Sequence, residues 1–234
     1  MKTVWFLAGV LFITAVVAAS IFNIFAKKDQ STSPTINYFL PLGDSYTIGE
    51  KVPSESSWPK LLVKDLNEHG IKTLLVANPA RSGWSSQDLI DKELPILRSS
   101  NTSFVTILIG TNDIVQGVNS EVFEKNLITI LDTVQDKLLD SKKVILFTLP
   151  DFTITPTGKE FVNNNTRNQI LEYNRIINLQ ADKRGLPMVD LFPLSQNMEG
   201  DYSLMARDWL HPSAAEYQLW EKMIYPLAFK LLRP

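Results

Sequence analysis

A serine and a histidine stand out in this chain as a pair whose types and spacing suit acyl-transfer chemistry. Ser45 follows Gly43 and Asp44 in the segment PLGDSYTIGE. His211 lies in DWLHPS, three residues after Asp208. A serine hydroxyl becomes a nucleophile when a base takes its proton, and an aspartate can hold that base in the required tautomer. The residues therefore predict a Ser45–His211–Asp208 catalytic set.

The other residues of these types have plainer interpretations. His69 is the other of the two histidines, and it falls in the last turn of a predicted helix, where a histidine complements the helix dipole. We assign His69 a structural or surface role. Asp151 and Asp190 also lie near the ends of predicted strands and are alternatives to Asp208 as the acid that orients the base. The short spacing between Asp208 and His211 favours Asp208.

An acyl-transfer site also needs hydrogen-bond donors for the oxyanion of the tetrahedral intermediate. The candidates are the backbone N–H at Ser45, the N–H of Gly83 in RSGW and the side-chain amide of Asn112 in GTND. Glycine lets the backbone approach a substrate closely, and an amide donates without carrying charge. Each residue alone is also typical of a turn or a helix cap, so the prediction depends on their combination.

Aromatic and apolar residues beside these motifs are candidates for the wall of an acyl pocket. They are Tyr46, Trp84, Phe152, Ile154 and Trp209. The alternative is that they anchor loops by packing on the core.

Short apolar runs alternate with segments of helical periodicity, and these elements must position the candidate residues. The apolar runs cover 38–43, 72–77, 104–110, 143–149 and 188–191. Helices are predicted over 57–70, 85–94, about 123–138, 166–184 and from about 213, the last with Trp220, Met223, Ile224, Leu227 and Leu231 inward and a kink at Pro226 near Tyr225. Continuously apolar strands are typical of a parallel sheet buried on both faces. We therefore predict an α/β fold whose site lies beyond the carboxyl ends of the strands.

The composition narrows the class of function. A net charge of −2 gives no reason to expect a nucleic-acid partner. The absence of cysteine excludes disulfides and thiolate ligands, and two distant histidines disfavour a zinc hydrolase. The segment GDSYTIGE is too poor in glycine for a loop that cradles phosphate, which disfavours a nucleotide-binding flavodoxin-type protein. We expect neither a metal nor a cofactor.

The N-terminal segment predicts export. Residues 3–26 carry no charge and are long enough to cross a bilayer. One interpretation is a signal peptide cleaved near Val17-Ala18-Ala19. An uncleaved membrane anchor is favoured because the apolar run continues to Phe25. We divide the chain into this signal peptide or anchor at 1–28, a polar linker at 29–36 and a catalytic domain at 37–234.

Taken in order, Ser45, Gly83, Asn112 and His211 resemble the landmark residues of the GDSL/SGNH hydrolase family. The resemblance covers about residues 37–232 and is closest to small bacterial single-domain members. It implies a three-layer α/β/α sandwich around a five-stranded parallel sheet of flavodoxin-like order. Tyr46 departs from the leucine of the family name.

The resemblance also implies an activity, the hydrolysis of esters or thioesters without metal or cofactor. The expected substrates are short- to medium-chain acyl esters, with lysophospholipids, thioesters and sugar O-acetyl groups within the range of the family. A binding module that kept the fold and lost turnover is the alternative. The intact set of Ser45, Gly83, Asn112, Asp208 and His211 argues against that alternative.

Overall fold

The computed structural model describes residues 35–233 of the chain. The predicted signal peptide or anchor at 1–28, and the linker up to residue 34, lie outside the described residues. Among residues 35–233, no helix combines the length and apolar character needed to cross a membrane.

A parallel five-stranded sheet lies at the centre of the fold, with the strand order β2-β1-β3-β4-β5. The strands are β1 (Asn37–Gly43), β2 (Thr73–Leu75), β3 (Phe104–Leu108), β4 (Val144–Phe147) and β5 (Met188–Val189). This order is flavodoxin-like and confirms the predicted fold. Strands β2 to β5 are shorter than the apolar runs that predict them. The residues that follow a strand can remain apolar because their loops are buried too, as at Ile109 and Leu149.

Helices cover both faces of the sheet. They are α1 (Ser45–Ile48), α2 (Trp58–Glu68), α3 (Ser86–Asp88), α4 (Leu94–Ser99), α5 (Thr111–Val115), α6 (Ser120–Lys137), α7 (Thr166–Arg184), α8 (Leu191–Ser195) and α9 (Ala214–Leu232). In one layer α2 packs against α9, and in the other α6 packs against α4 and α7. The architecture is therefore the predicted three-layer α/β/α sandwich.

The buried face of α9 differs from the predicted one. It comprises Tyr217, Trp220, Ile224, Ala228 and Leu232. Leu227 and Leu231 are partly buried, but Met223 is exposed, so its predicted inward position is wrong. The buried positions follow the helical period, and that period leaves Met223 on the opposite side. The helix continues through Pro226, which lies on its exposed side.

The segment between β2 and β3 is not the single α-helix predicted over 85–94. Ser85 caps α3 as expected, since its hydroxyl accepts from the Asp88 N–H. A π-helical turn, Leu89–Glu93, then separates α3 from α4. Pro95 lies in the first turn of α4, where a missing N–H costs no hydrogen bond, so it favours the start of a new helix at this point. The wider turn before Pro95 points Glu93 into the interior, where it is fully buried.

Candidate active site

The serine turn, residues 43–46, joins the end of β1 directly to α1. Asp44 is the N-cap of α1, and its carboxyl group accepts a hydrogen bond from the Tyr46 N–H at 3.0 Å. Gly43 has a positive φ of 155°, and a Cβ placed there would lie 2.3 Å from the Leu108 carbonyl oxygen. The turn can therefore be this tight only with glycine at its start. Ser45 follows at the first position of the helix, 6% exposed.

The histidine loop, residues 208–211, precedes α9 and is organised by the carboxylate of Asp208. Oδ2 of Asp208 lies 2.6 Å from Nδ1 of His211. Oδ1 accepts from the backbone N–H groups of Leu210 at 3.2 Å and His211 at 3.1 Å. Trp209, inside this turn, adopts a left-handed φ of 55°. The three contacts fix the imidazole relative to its carboxylate.

A second segment, the loop after β4, supports the histidine loop from the side. The Thr157 hydroxyl donates to the Asp208 carbonyl at 2.6 Å, and the Thr157 N–H donates to the Trp209 carbonyl at 3.2 Å. Gly158 allows this loop to fold back closely, because a Cβ there would lie 1.8 Å from the Phe152 carbonyl oxygen.

The electrostatics of the pair favour a charged aspartate. Partial burial pushes the pKa of Asp208 upward, but hydrogen bonds from the ring and backbone of His211 outweigh it and lower the pKa below its usual value. An ionised Asp208 accepts a hydrogen bond from the Nδ1–H of His211, and this tautomer leaves Nε2 as the basic nitrogen.

The two alternative acids are occupied elsewhere. The Asp151 carboxylate forms an ion pair with Arg167 at 3.1 Å and accepts from the Thr153 hydroxyl at 2.6 Å. Asp190 caps α8 and accepts from the Thr148 hydroxyl at 2.7 Å. Asp208 is therefore the carboxylate that contacts His211.

Ser45 and His211 line the same cavity, which has an empty volume of about 530 Å³. Its other lining residues are Tyr46, Ser82, Gly83, Thr111, Asn112, Val115, Phe152, Phe161 and Leu210. Within residues 35–233 the Ser45 hydroxyl makes no hydrogen bond to the imidazole. Contacts of this kind often shorten only when a substrate is bound.

The predicted donors Gly83 and Asn112 also lie at this cavity. Gly83 has a positive φ of 82°, and its carbonyl accepts from the Gln116 amide at 3.0 Å. The Asn112 amide nitrogen donates to the Trp84 carbonyl at 3.0 Å and, at the longer distance of 3.4 Å, to Asp44. These contacts hold the amide beside the serine turn.

Of the predicted wall residues, Tyr46 and Phe152 line the cavity, and Trp84, Trp209 and Ile154 do not. The ring of Trp84 lies under Lys92, whose Nζ is 5.0 Å from its centre. The partly exposed Trp209 packs edge-on against Tyr202, and Ile154 is buried in a small separate cluster.

The lining residues that sequence reasoning missed are Ser82, Thr111, Val115, Phe161 and Leu210. Ser82, Thr111 and Leu210 adjoin motif residues, so their positions could have been inferred. Phe161 ends a short 3-10 helix, Gly158–Phe161, which is too brief to give a periodic signal.

The remaining histidine lies outside this site. His69 follows α2, where its Nδ1 is 2.8 Å from the Asp65 carbonyl oxygen. Its ring packs against Tyr225 of α9 at 5.2 Å. This placement agrees with the predicted structural or surface role.

The serine turn also contains a carboxyl group that titrates far from its usual range. Burial raises the pKa of Asp44 to about 7, and the nearby Asp113 adds to the rise while the Tyr46 N–H opposes it. A buried acid of this kind is common at functional sites, although structural networks produce it too.

The sequence model of the GDSL-like lipase/acylhydrolase family matches residues 42–219. The chain belongs to this family. An arylesterase of Vibrio mimicus is 33% identical over 107 residues, which is 46% of this chain and 53% of that protein. The chain thus spans about half the length of that curated relative.

Solved structures share the fold. TesA superposes with a TM-score of 0.67 at 23% identity, covering 85% of this chain and 100% of that one. The acetylxylan esterase Axe2 of Geobacillus stearothermophilus superposes with a TM-score of 0.65 at 19% identity, covering 84% and 96%. The psychrotrophic esterase EstA of Pseudoalteromonas gives 0.64 at 21% identity, covering 84% and 98%.

Proposed function

We propose that this protein is an ester hydrolase and that it acts through a covalent acyl-enzyme formed on Ser45. The observation that carries the proposal is the 2.6 Å contact between Asp208 and His211 at the cavity that Ser45 also lines. Nε2 of His211 takes the Ser45 proton while Oγ attacks the acyl carbonyl. The tetrahedral intermediate expels the alcohol, which receives that proton. Water then attacks the acyl-enzyme with the same base, releases the acid and returns the proton to Oγ.

The proposed oxyanion donors are the Ser45 N–H, the Gly83 N–H and the Asn112 amide. The cavity position of Gly83 and Asn112 supports this assignment. Asn112 already donates to the Trp84 carbonyl, and its 3.4 Å contact with Asp44 is the weaker one. Donation to an oxyanion would replace that weaker contact and leave the other to hold the amide in place.

The proposed substrates are carboxylic esters with short- to medium-chain acyl groups. Four apolar side chains support an acyl site, namely Val115, Phe152, Phe161 and Leu210. The names of the arylesterase and acetylxylan esterase relatives extend the candidates to aryl esters and sugar O-acetyl groups. Lysophospholipids and thioesters present the same acyl carbonyl to the serine.

We also propose that the catalytic domain is exported and that its N-terminal segment contacts the membrane. The uncharged run at residues 3–26 supports this. Fractionation of cells that express the full chain, followed by protease treatment of intact cells, tests the location. Recovery of the protein in the cytosol, protected from protease, would contradict it.

The test of the function is hydrolysis of p-nitrophenyl esters from acetate to palmitate by the full-length chain. We expect the highest kcat/KM at short to medium chain length. Ser45→Ala should lower kcat by roughly 10³-fold or more without unfolding the protein. Ser99→Ala, a change at an exposed serine at the end of α4, is the matched control and should leave kcat unchanged.

Two results would contradict the proposal. Turnover that survives in Ser45→Ala would remove Ser45 as the nucleophile. A folded wild-type protein that is inactive on every ester of the series, and that does not react with a fluorophosphonate, would favour the binding-module alternative.

A further inference from the structure

A buried carboxyl group outside the Ser45–His211–Asp208 set contacts the backbone of the serine turn. Glu93, the last residue of the π-helical turn, is 0% exposed. Its Oε2 accepts a hydrogen bond from the Gly43 N–H at 3.0 Å. Its other oxygen, Oε1, is buried and has no hydrogen-bond partner within residues 35–233.

The peptide that Glu93 holds joins Leu42 to Gly43 and lies two residues before Ser45. Gly43 is the last residue of β1 and lies opposite Leu108 of β3. Its Cα has no free space, since an added Cβ would lie 2.3 Å from the Leu108 carbonyl oxygen and from the Thr47 hydroxyl oxygen. With the Cα enclosed and the N–H bonded to Glu93, the path of the chain into Asp44 and Ser45 is fixed.

The conformation that brings Glu93 to this position is unusual. A π-helical turn is rare, and such turns occur frequently at functional sites. Here the turn lies immediately before Pro95 and directs a polar side chain into the core. An apolar residue would satisfy packing at this position, but it would leave the Gly43 N–H without an acceptor.

The charge state of Glu93 is compatible with this role. Burial raises the pKa of the Glu93 carboxyl well above its usual value, and the nearby Asp44 adds to the rise, while the Gly43 N–H and Arg81 oppose it. Burial therefore favours the uncharged form of Glu93. An uncharged carboxyl still accepts from the Gly43 N–H through its carbonyl oxygen, and it avoids an unpaired buried charge.

We propose that Glu93 is a positioning residue for the nucleophile: its carboxyl oxygen holds the Gly43 peptide and thereby sets the direction in which the Ser45 hydroxyl enters the cavity. This inference rests on the proposed function of Ser45. It adds a residue that acts on catalysis through the backbone and does not touch the substrate.

Three substitutions at Glu93 distinguish a role in positioning Ser45 from a role in stabilising the fold. Glu93→Gln keeps the side-chain length and an acceptor oxygen and needs no proton. Glu93→Asp keeps the acid but is one methylene too short to reach Gly43. Glu93→Leu keeps the approximate volume and removes the acceptor. Glu221→Leu is the matched control, because Glu221 is also buried with an unpartnered oxygen but lies on α9 away from the cavity.

The measurements on the full-length chain are kcat and KM for a p-nitrophenyl ester, the rate at which a fluorophosphonate labels Ser45, and the melting temperature. We expect Glu93→Gln to match the wild type. Glu93→Asp and Glu93→Leu should lower kcat and the labelling rate by roughly 10- to 100-fold, with KM changed by less than about 3-fold. Glu221→Leu should change the melting temperature and leave kcat and the labelling rate as in the wild type.

The outcomes are decisive in both directions. Wild-type kcat and labelling in folded Glu93→Asp would overturn the proposal. A loss in Glu93→Gln as large as in Glu93→Asp would also overturn it, because the amide retains the acceptor. If Glu93→Leu does not fold, the difference in kcat and labelling rate between Glu93→Gln and Glu93→Asp decides whether the proposal holds. Ser45→Ala in the same panel distinguishes a failure of this proposal from a failure of the proposed function. Turnover retained in Ser45→Ala would refute the role of Ser45 as nucleophile but would leave the hydrogen bond between Glu93 and Gly43 unaffected.

Discussion

The serine turn and the histidine loop reach the same cavity but are held in place by different parts of the molecule. The serine turn is enclosed by the core: the Tyr46 carbonyl accepts from the Trp58 indole and from the Tyr217 hydroxyl, both at 3.1 Å. The histidine loop lies nearer the surface, where Trp209 is 44% exposed. Its supports are its own carboxylate and Thr157 of a neighbouring loop.

This difference separates two kinds of mutational effect. A change at the serine turn disturbs packing shared with the sheet, so it should lower the free energy of unfolding and the activity together. A change at the support of the histidine loop should lower kcat and leave global stability nearly unchanged. Stability and catalysis are therefore expected to be coupled on one side of the cavity and separable on the other.

The largest effect is expected from Gly43→Ala. The new Cβ would meet a backbone carbonyl at 2.3 Å, which cannot move without disturbing β3. We expect the free energy of unfolding to fall by roughly 3 kcal/mol, with loss of hydrolysis. Urea unfolding and an ester assay measure the two effects.

Gly117→Ala is the control for Gly43→Ala, because Gly117 also has a positive φ but open space around it. Its cost should be about 1–2 kcal/mol, from the backbone conformation alone. Equal losses in the two variants would show that the serine turn is not enclosed as tightly as the contacts indicate.

A smaller effect is expected from Thr157→Val. The substitution removes the hydroxyl that donates to the Asp208 carbonyl at 2.6 Å and preserves the shape of the side chain. Loss of one such hydrogen bond should lower kcat roughly 10-fold as the loop becomes less well positioned. The melting temperature should change little.

The exposed Thr129→Val, which removes a hydroxyl that donates to the Lys125 carbonyl on α6, is the control for Thr157→Val. If Thr157→Val lowered the melting temperature far more than this control and left kcat intact, stability and catalysis would not be separable at the histidine loop.

The smallest effect is expected away from the cavity, at the contact of α2 with α9. Burial raises the pKa of Glu221 from 4.5 to about 7, and Asp65 adds to the rise, while Lys222 and His69 oppose it. The folded state therefore holds a proton that the unfolded chain releases near pH 4.5. This group stabilises the fold fully below that pH, and its contribution is lost as the pH rises to about 7.

Melting temperatures measured from about pH 5 to about pH 8 test this linkage, because the stabilisation by Glu221 is expected to be lost within that range. The melting temperature of Glu221→Gln should decline less steeply with rising pH than that of the wild type. Some decline should remain, because burial also raises the pKa of Glu216 to about 7. An unchanged slope in Glu221→Gln, equal to that of the exposed control Glu199→Gln, would refute the linkage.

Much of the fold could be predicted because its signals are local. Helix α7 begins and ends where its periodicity predicts, and Gly185 ends it in a left-handed conformation. The π-helical turn could not be predicted in this way, since Pro95 indicates an interruption but not its form. Met223 shows a related limit: its apolar character does not reveal which side of α9 it occupies.

The motif residues of the site could be predicted from the sequence, but most of the other residues that line its cavity could not. The carboxyl ends of parallel strands lie at the same edge of a sheet, so the sequence predicts that Ser45, Gly83 and Asn112 lie close together. Side-chain direction is not fixed by proximity in sequence. Trp209 adjoins the acid, yet it packs outward on Tyr202, whereas Phe161 reaches the cavity from a 3-10 helix in the segment after β4.

The hydrogen bond between Tyr217 and Tyr46 has a consequence for biosynthesis. It joins residues that are 171 positions apart, and His211 precedes Tyr217 by only six. The ribosome therefore makes the serine turn long before the segment that encloses it and brings the imidazole. Closing so long a loop is entropically costly and can occur only after translation has passed α9. On the proposed mechanism, a nascent chain thus carries Ser45 before it carries His211, so hydrolysis must await the synthesis and docking of the later segment.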